Sequence, residues 1–463
     1  MKTNSDARVG DAPIGVALSG AGGGFGRSFL AQLSRISGMK PSVLVDLNLD
    51  SLAVMLDKLG YSRSSWAVCR DTRDVEAAVA AGRTALIADG ALLAPHAYDV
   101  LVEATGNVSV GFALALRALD DDRHVVMVSK EVESVAGVHL AGVARSRGLR
   151  YLPGKGDQPA NLLALVSWIT AVGLDIVAVG KSAEYDLVFD PTTGTASMLD
   201  AHETVPELAG LLDLGPDVAV TVAARAEAAR SFKRSAAADY CEMAVVAQYT
   251  GFVTDRDDMH YPVARPSELA DIYRLRADGG LLERPGVVDV FTMLRLPGEA
   301  SFAGGEFVIV RTGDAETWQL LKAKGHVVSS DGAYACIYSP YHLMGVETPL
   351  SVYEAHSGTS DVPAPDQHVV LAGRATTALE AGTRLRVEGH HHEIDGVAPF
   401  LSAREDLPAD TAPFYLLGGA TLVRNVPAGQ TITVDDLHGF DDRLWQAFHH
   451  PHSLPSTSKE SQR

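Results

Sequence analysis

Residues 14–28 read IGVALSGAGGGFGRS. Ile14 to Leu18 is an apolar run suited to a buried strand. Gly20, Gly22, Gly23, Gly24 and Gly26 crowd the turn that follows, and a helix-like pattern starts at Ser28 and runs to Leu33. Strand, glycine turn and helix together form the phosphate-binding opening of a doubly wound α/β unit. The glycines let the backbone approach a pyrophosphate, and the helix N-terminus faces the anion with free N–H groups. The common spacing is G-x-G-x-x-G. Gly20 and Gly22 fit it, but Phe25 stands where the third glycine belongs and Gly26 follows, so the loop reads one residue longer.

The next strand, Ser42 to Val45, ends in Asp46. An acid ~20 residues past the glycines suits a ribose 2′-hydroxyl and repels the extra phosphate of NADP, which favours NAD(H) over NADP(H). The alternative is that Asp46 only caps the following turn.

The chain has 463 residues, enough for two or three domains, with 39 basic and 58 acidic residues and a formal net charge of −19. No basic surplus exists to release counterions, which argues against a nucleic-acid or anionic-membrane partner. A small anionic substrate needs only a local cluster of lysines. No apolar run approaches the ~20 residues of a membrane span. The polar start MKTNSDARVGDAP lacks a signal-peptide core. Cys69, Cys241 and Cys336 show no metal-type spacing, so a reducing cytoplasm and ordinary core roles are expected.

The first 150 residues alternate strands and helices. DVLV at 99–102 precedes Thr105 and Gly106, and HVVMV at 124–128 precedes Ser129, Lys130 and Glu131. Continuous apolar strands of this kind predict a parallel sheet covered on both faces, which binds ligands at the carboxyl ends of its strands. From Tyr151 a second α/β region begins. GDQPANLLALVSWITAVG predicts a helix opened by Asp157 and closed by Gly173, and another helix is predicted from about Ala236 to Thr250. Residues 365–445 become β-rich, with two related turns at Ala381-Gly382 and Ala428-Gly429. The expected organisation is a disordered start (1–12), a dinucleotide-binding domain (13–150), a catalytic and oligomerisation domain (151–360), a small β-rich module (365–445) and a disordered tail (449–463).

Candidate chemistry follows from placement. Lys130 and Lys181 follow apolar strands, where an ammonium can bind a phosphate or carboxylate or polarise a carbonyl; Lys155 and Lys233 are further candidates. Glu242 lies on the apolar side of the second helix. It fits a general acid/base, a metal ligand, or half of an ion pair with Lys233 or Arg234. Glu131 can hold a ribose, a substrate hydroxyl or a divalent cation. Asp157 is an N-cap or part of an anion site, and Tyr341-His342, near Glu347, offers a proton-donor pair. His390, His391, His392 and Glu393 are adjacent along the chain, so successive side chains point apart and chelate poorly.

Taken together, GAGGGFGRSFL, DVLVEATGN, HVVMVSKEVES, GDQPANLLALV, VAVGK, the helix holding Glu242, and SPYHL with Glu347 resemble one family. It is the group of Rossmann oxidoreductases with a C-terminal SAF module, the homoserine dehydrogenase-like and deoxyxylulose phosphate reductoisomerase-like enzymes. TLVRNVPAGQTITVDDL looks like the end of a SAF domain. The resemblance covers nearly the whole chain. It implies a Rossmann domain, an α/β catalytic domain used in forming a homodimer or homotetramer, and a SAF-like domain. It also implies nicotinamide-dependent chemistry on a small polyhydroxylated or phosphorylated carbonyl compound. In the reductoisomerase branch a metal-assisted rearrangement precedes hydride transfer. The sequence departs from that branch in its longer glycine loop, in Asp46 where the branch uses NADPH, and in Ser129-Lys130-Glu131 where Asn-Val-Glu is expected. A simple homoserine- or semialdehyde-type dehydrogenase is the alternative enzyme, and a non-catalytic nucleotide-binding sensor is the alternative of another class.

Overall fold

A computed structural model describes residues 12–389 and 391–453. The disorder expected at the two ends falls mostly outside these residues. The chain divides into two compact units: residues 1–157, 343–365 and 441–463 form one, and residues 158–342 and 366–440 form the other.

The first unit is a seven-stranded parallel sheet of β1 (Ile14–Ser19), β2 (Met39–Val45), β3 (Trp66–Val68), β4 (Thr84–Ile87), β5 (Val100–Glu103), β6 (His124–Met127) and β7 (Tyr151–Pro153). Its order is β3-β4-β2-β1-β5-β6-β7. Helices α1 (Gly24–Leu33), α2 (Leu49–Lys58), α3 (Thr72–Ala80), α4 (Val108–Asp120) and α5 (Lys130–Ser146) connect the strands. β1 is buried along its whole length, as a parallel strand covered on both faces must be. Short polar side chains start the helices: Asn48 accepts Ser51 N–H at 3.0 Å and Asn107 accepts Val110 N–H at 3.0 Å. The strand order reverses between β1 and β5, so the ligand crevice of such a sheet opens beyond their carboxyl ends. α1 starts at Gly24, four residues before the expected Ser28. An exposed glycine turn can wind into the helix because no side chain obstructs it.

The second unit opens with α6 (Gln158–Ala171), close to its predicted span. Its main sheet takes β8 (Asp175–Ser182), β9 (Leu187–Asp190), β10 (Thr195–Met198) and β11 (Ala201–Thr204). Helices α7 (Val218–Ala228) and α8 (Ala237–Thr250) precede β12 (Val263–Ala264), the short α9 (Leu269–Ile272), β13 (Val287–Arg295) and β14 (Glu306–Arg311). α10 (Ala315–Ala323), β15 (Val327–Val328) and β16 (Tyr334–Ser339) follow. The sheet order is β11-β10-β9-β13-β8-β14-β16-β15, with β12 pairing to β13. α8 ends where predicted, on left-handed Gly251. Back in the first unit, α11 (Thr348–Ser357) and α12 (Asp442–His449) are added late in the chain.

Residues 366–440 belong to the second unit and carry the β17 (Val369–Ala375) and β18 (Val397–Ala403) hairpin, with β19 (Thr421–Leu422) and β20 (Leu437–His438). The two related turns both use left-handed glycines, Gly382 and Gly429. Cys69, Cys241 and Cys336 are buried and form no disulfide. Among the described residues no helix is long and apolar enough to cross a membrane.

Candidate functional site

In the first unit the predicted cofactor residues gather at the β1–β5 edge. Gly20 has φ +70°, and a Cβ there would lie 2.3 Å from the Ala104 carbonyl oxygen. Only glycine allows the two strand ends to meet so closely. Gly22 N–H donates to Asp46 Oδ2 at 2.7 Å, while Asn48 N–H donates to Oδ1 at 2.9 Å. Asp46 therefore holds the glycine loop and also starts the next turn, as its turn-capping reading expected. Gly23 precedes α1 with no side-chain cap, Phe25 stacks on Phe29, and Gly26 packs on the Ala21 backbone.

Across the crevice, Gly106 is left-handed and its N–H donates to Ser129 Oγ at 2.9 Å. Glu103, wholly buried at the end of β5, accepts Ser19 Oγ at 3.2 Å and Thr105 N–H at 3.0 Å. Burial pushes its carboxyl above the usual range, against these hydrogen bonds. Sequence reasoning missed Glu103 because it reads as the first residue of the turn after an apolar strand, whereas β5 runs on to it and buries it. Lys130 and Glu131 open α5, and Lys130 Nζ stands 4.0 Å from Asp157 Oδ1. Thr105, Gly106, Lys130, Glu131 and Asp157 thus lie at one sheet edge.

Burial raises the Glu131 carboxyl to about 7; Lys130 opposes the shift, and Asp157 and Glu103 add to it. Its folded value lies above that of the unfolded chain. The stability it contributes is therefore complete below about pH 4 and is lost as the pH rises through about 7. Between pH 5 and 8 the wild-type protein is expected to lose about 2–3 kcal/mol more stability than Glu131→Gln. Parallel pH dependence of the two proteins in urea unfolding would refute this.

In the second unit a buried ion cluster forms where β8 meets α8. Lys181 is 1 % exposed. It donates to Asp239 Oδ1 at 2.6 Å and also pairs with Glu242. The ion pair foreseen for Glu242 has Lys181 as its partner, not Lys233 or Arg234. Lys233 is 55 % exposed and pairs with Glu393, and Arg234 donates to the Tyr261 carbonyl at 2.9 Å. Chain proximity suggested Lys233; sheet pairing brings in Lys181 from 61 residues away. His342 meets the Gly304 carbonyl oxygen through Nδ1 at 3.2 Å, within the same unit. Lys155 pairs with Glu354 in the first unit. His391 packs against Tyr185 and His392 bonds the Tyr415 hydroxyl at 2.6 Å, while His390 lies outside the described residues.

Among the described residues no group of three or more His, Cys, Asp or Glu side chains is arranged to hold a metal ion. The converging carboxylates of Asp239 and Glu242 instead hold the Lys181 ammonium. A cavity of about 360 Å³ opens nearby, lined among others by Lys233, Arg234, Tyr240, Arg256, His260 and Tyr261. Arg256 is bidentate with Asp258, at 2.6 and 2.8 Å.

A doubly wound parallel sheet with a glycine-rich first turn is a dinucleotide-binding type of fold. Residues 156–348 match the family model described as "Oxidoreductase DRL, catalytic domain". No curated protein matches the sequence. Among solved structures, myo-inositol dehydrogenase from Lactobacillus casei, in complex with NAD(H) and myo-inositol, is 12% identical, covering 41% of this chain and 51% of that one at a TM-score of 0.28. UDP-N-acetylglucosamine 3-dehydrogenase from Acidithiobacillus ferrooxidans is 18% identical over 40% and 50%, at 0.26. DOX-P reductoisomerase in complex with magnesium is 18% identical over 37% and 46%, at 0.27. The chain spans about half the length of these structures.

Proposed function

We propose that this protein is an NAD(P)-dependent oxidoreductase acting on a small polyhydroxylated or phosphorylated carbonyl compound, with NAD(H) preferred. The observation that carries the reading is the Asp46 carboxylate, bonded to the Gly22 N–H at the end of the second strand. A carboxylate there accepts ribose hydroxyls and repels a 2′-phosphate. Gly20, Gly22, Gly23 and the start of α1 would receive the pyrophosphate, with Thr105, Gly106, Lys130 and Glu131 across the crevice. A bound nicotinamide would supply or accept the hydride.

The chain's own groups handle protons and oxygens. Lys130 and Asp157 orient substrate hydroxyls, and Glu131, with its raised carboxyl, can exchange a proton near neutrality. Lys181 and Glu242 form an ammonium–carboxylate pair in a dry setting, where such a pair acts most strongly. Of the cations around the cavity, Lys233 pairs with Glu393 and Arg256 with Asp258, and Arg234, bonded to a backbone carbonyl, suits an anionic substituent of the substrate. Because the Asp239–Glu242 carboxylates enclose an ammonium, a dehydrogenase reaction without metal-assisted rearrangement is favoured over a reductoisomerase reaction.

The test is nicotinamide binding followed by fluorescence, with turnover over a panel of keto and hydroxy compounds and analysis of the product skeleton. Asp46→Ala is expected to weaken NADH about tenfold, ~1.4 kcal/mol, while NADPH binds as before or more tightly. Equal weakening of both cofactors would reduce Asp46 to a turn residue. Cofactor binding without turnover would instead support the sensor alternative.

A further inference from the structure

Met259 and Tyr261 hold φ of +50° and +47°. They flank His260 in the segment between α8 and β12. Such backbone is costly for residues with a side chain and persists only where the surroundings enforce it. The enforcing group is Asp289, wholly buried on β13. Its carboxyl accepts the N–H of His260 at 2.9 Å, of Tyr261 at 3.2 Å and of Val290 at 2.7 Å, and the Tyr273 hydroxyl at 3.3 Å. His260 Nε2 is fixed in turn 2.9 Å from Asp255 Oδ2. Thr292 N–H reaches the Pro262 carbonyl at 2.9 Å and seals the end of the loop. A carboxyl inside a sheet is tolerated only with such partners, and here they are the amides of the contorted loop.

The contortion sets the direction of Tyr261. Its hydroxyl donates to Asp239 Oδ2 at 2.5 Å, and the other oxygen of Asp239 holds Lys181 at 2.6 Å. Its carbonyl accepts Arg234 at 2.9 Å on the wall of the cavity. One residue therefore touches both the cavity and the buried ion cluster.

We propose that Tyr261 is a positioning residue for the Lys181–Glu242 pair, held in register by the Asp289 clamp and joining the cavity wall to that pair. With the tyrosine on one oxygen, Asp239 offers Lys181 only the other, and the ammonium stays shared with Glu242. Without the hydroxyl, Asp239 can take Lys181 with both oxygens and draw it from Glu242. This inference rests on the assignment of Lys181 and Glu242 to the reaction centre.

Tyr261→Phe is expected to lower kcat 30-fold or more while KM changes less than threefold and NADH affinity is unchanged. Asp289→Asn is expected to lower kcat similarly and to speed amide hydrogen exchange at His260 and Tyr261 at least tenfold, with β8 still protected. A kcat for Tyr261→Phe within threefold of wild type overturns the positioning role even if Asp289→Asn fails to fold. Unchanged exchange in a folded Asp289→Asn protein overturns the clamp. If the wild-type protein binds no nicotinamide cofactor, the oxidoreductase assignment itself falls, and the exchange measurement still decides whether Asp289 holds the loop.

Discussion

Lys181→Met is expected to abolish turnover and to destabilise the protein by about 3–5 kcal/mol. Lys181 is 1 % exposed, and its ammonium is shared by Asp239 and Glu242, each 2 % exposed. Removing the cation leaves two carboxylates in a dry site, which must take up protons or remain unsatisfied. Stability loss alone does not distinguish a reacting group from a structural one. The combination Lys181→Met, Asp239→Asn and Glu242→Gln separates them, because neutral groups of similar shape carry no buried charge. That triple variant is expected to regain most of the lost stability in denaturant unfolding and to remain inactive. Recovery of turnover along with stability would assign the cluster to the fold alone.

Gly20→Val is expected to reduce NADH affinity more than 100-fold and to cost about 2–4 kcal/mol of stability, combining left-handed strain with overpacking. The added Cβ would meet the Ala104 oxygen at 2.3 Å and its carbonyl carbon at 2.8 Å, both backbone atoms that cannot swing aside. The β5–α4 turn, with Thr105 and Gly106, would have to move. Gly142→Ala is the control: it lies inside α5, twelve residues past the start of that helix, and an added Cβ would meet only the Pro451 carbonyl oxygen at 3.9 Å. Alanine there is expected to leave cofactor affinity within threefold and to stabilise by about 0.5 kcal/mol. If the two variants weaken NADH equally in a fluorescence titration, close backbone approach at Gly20 is not what the loop requires.

The glycine loop, Asp46 and the parallel sheet were legible because each depends on local pattern: apolar runs, turn glycines and an acid at a strand end. Lys181 and Glu242 were legible as positions but not as a pair. Their meeting depends on α8 packing on β13, the strand that pairs with β8, which residue spacing does not encode, and chain proximity pointed to Lys233 instead. Asp239, Tyr261 and Asp289 left no readable signal. Asp289 sits in VVDVFTMLR, where an isolated acid among strand residues looks like a solvent-facing position, yet β13 is buried from Val287 to Leu294. Its partners are backbone amides, and any residue type supplies those. Tyr261 adopts a conformation that tyrosine rarely takes, so local preference gave no warning of it.

The dinucleotide-type unit is finished by α12, whose Leu444, Ala447 and Phe448 are buried and which packs against α5. Almost three hundred residues separate the end of α5 from that helix. At ordinary rates of synthesis, ~5–20 residues per second, a nascent chain spends roughly 15–60 s with the apolar flank of α5 uncovered. During that interval the face of α5 that α12 later covers stays open, and a chain truncated before residue 442 would keep it so.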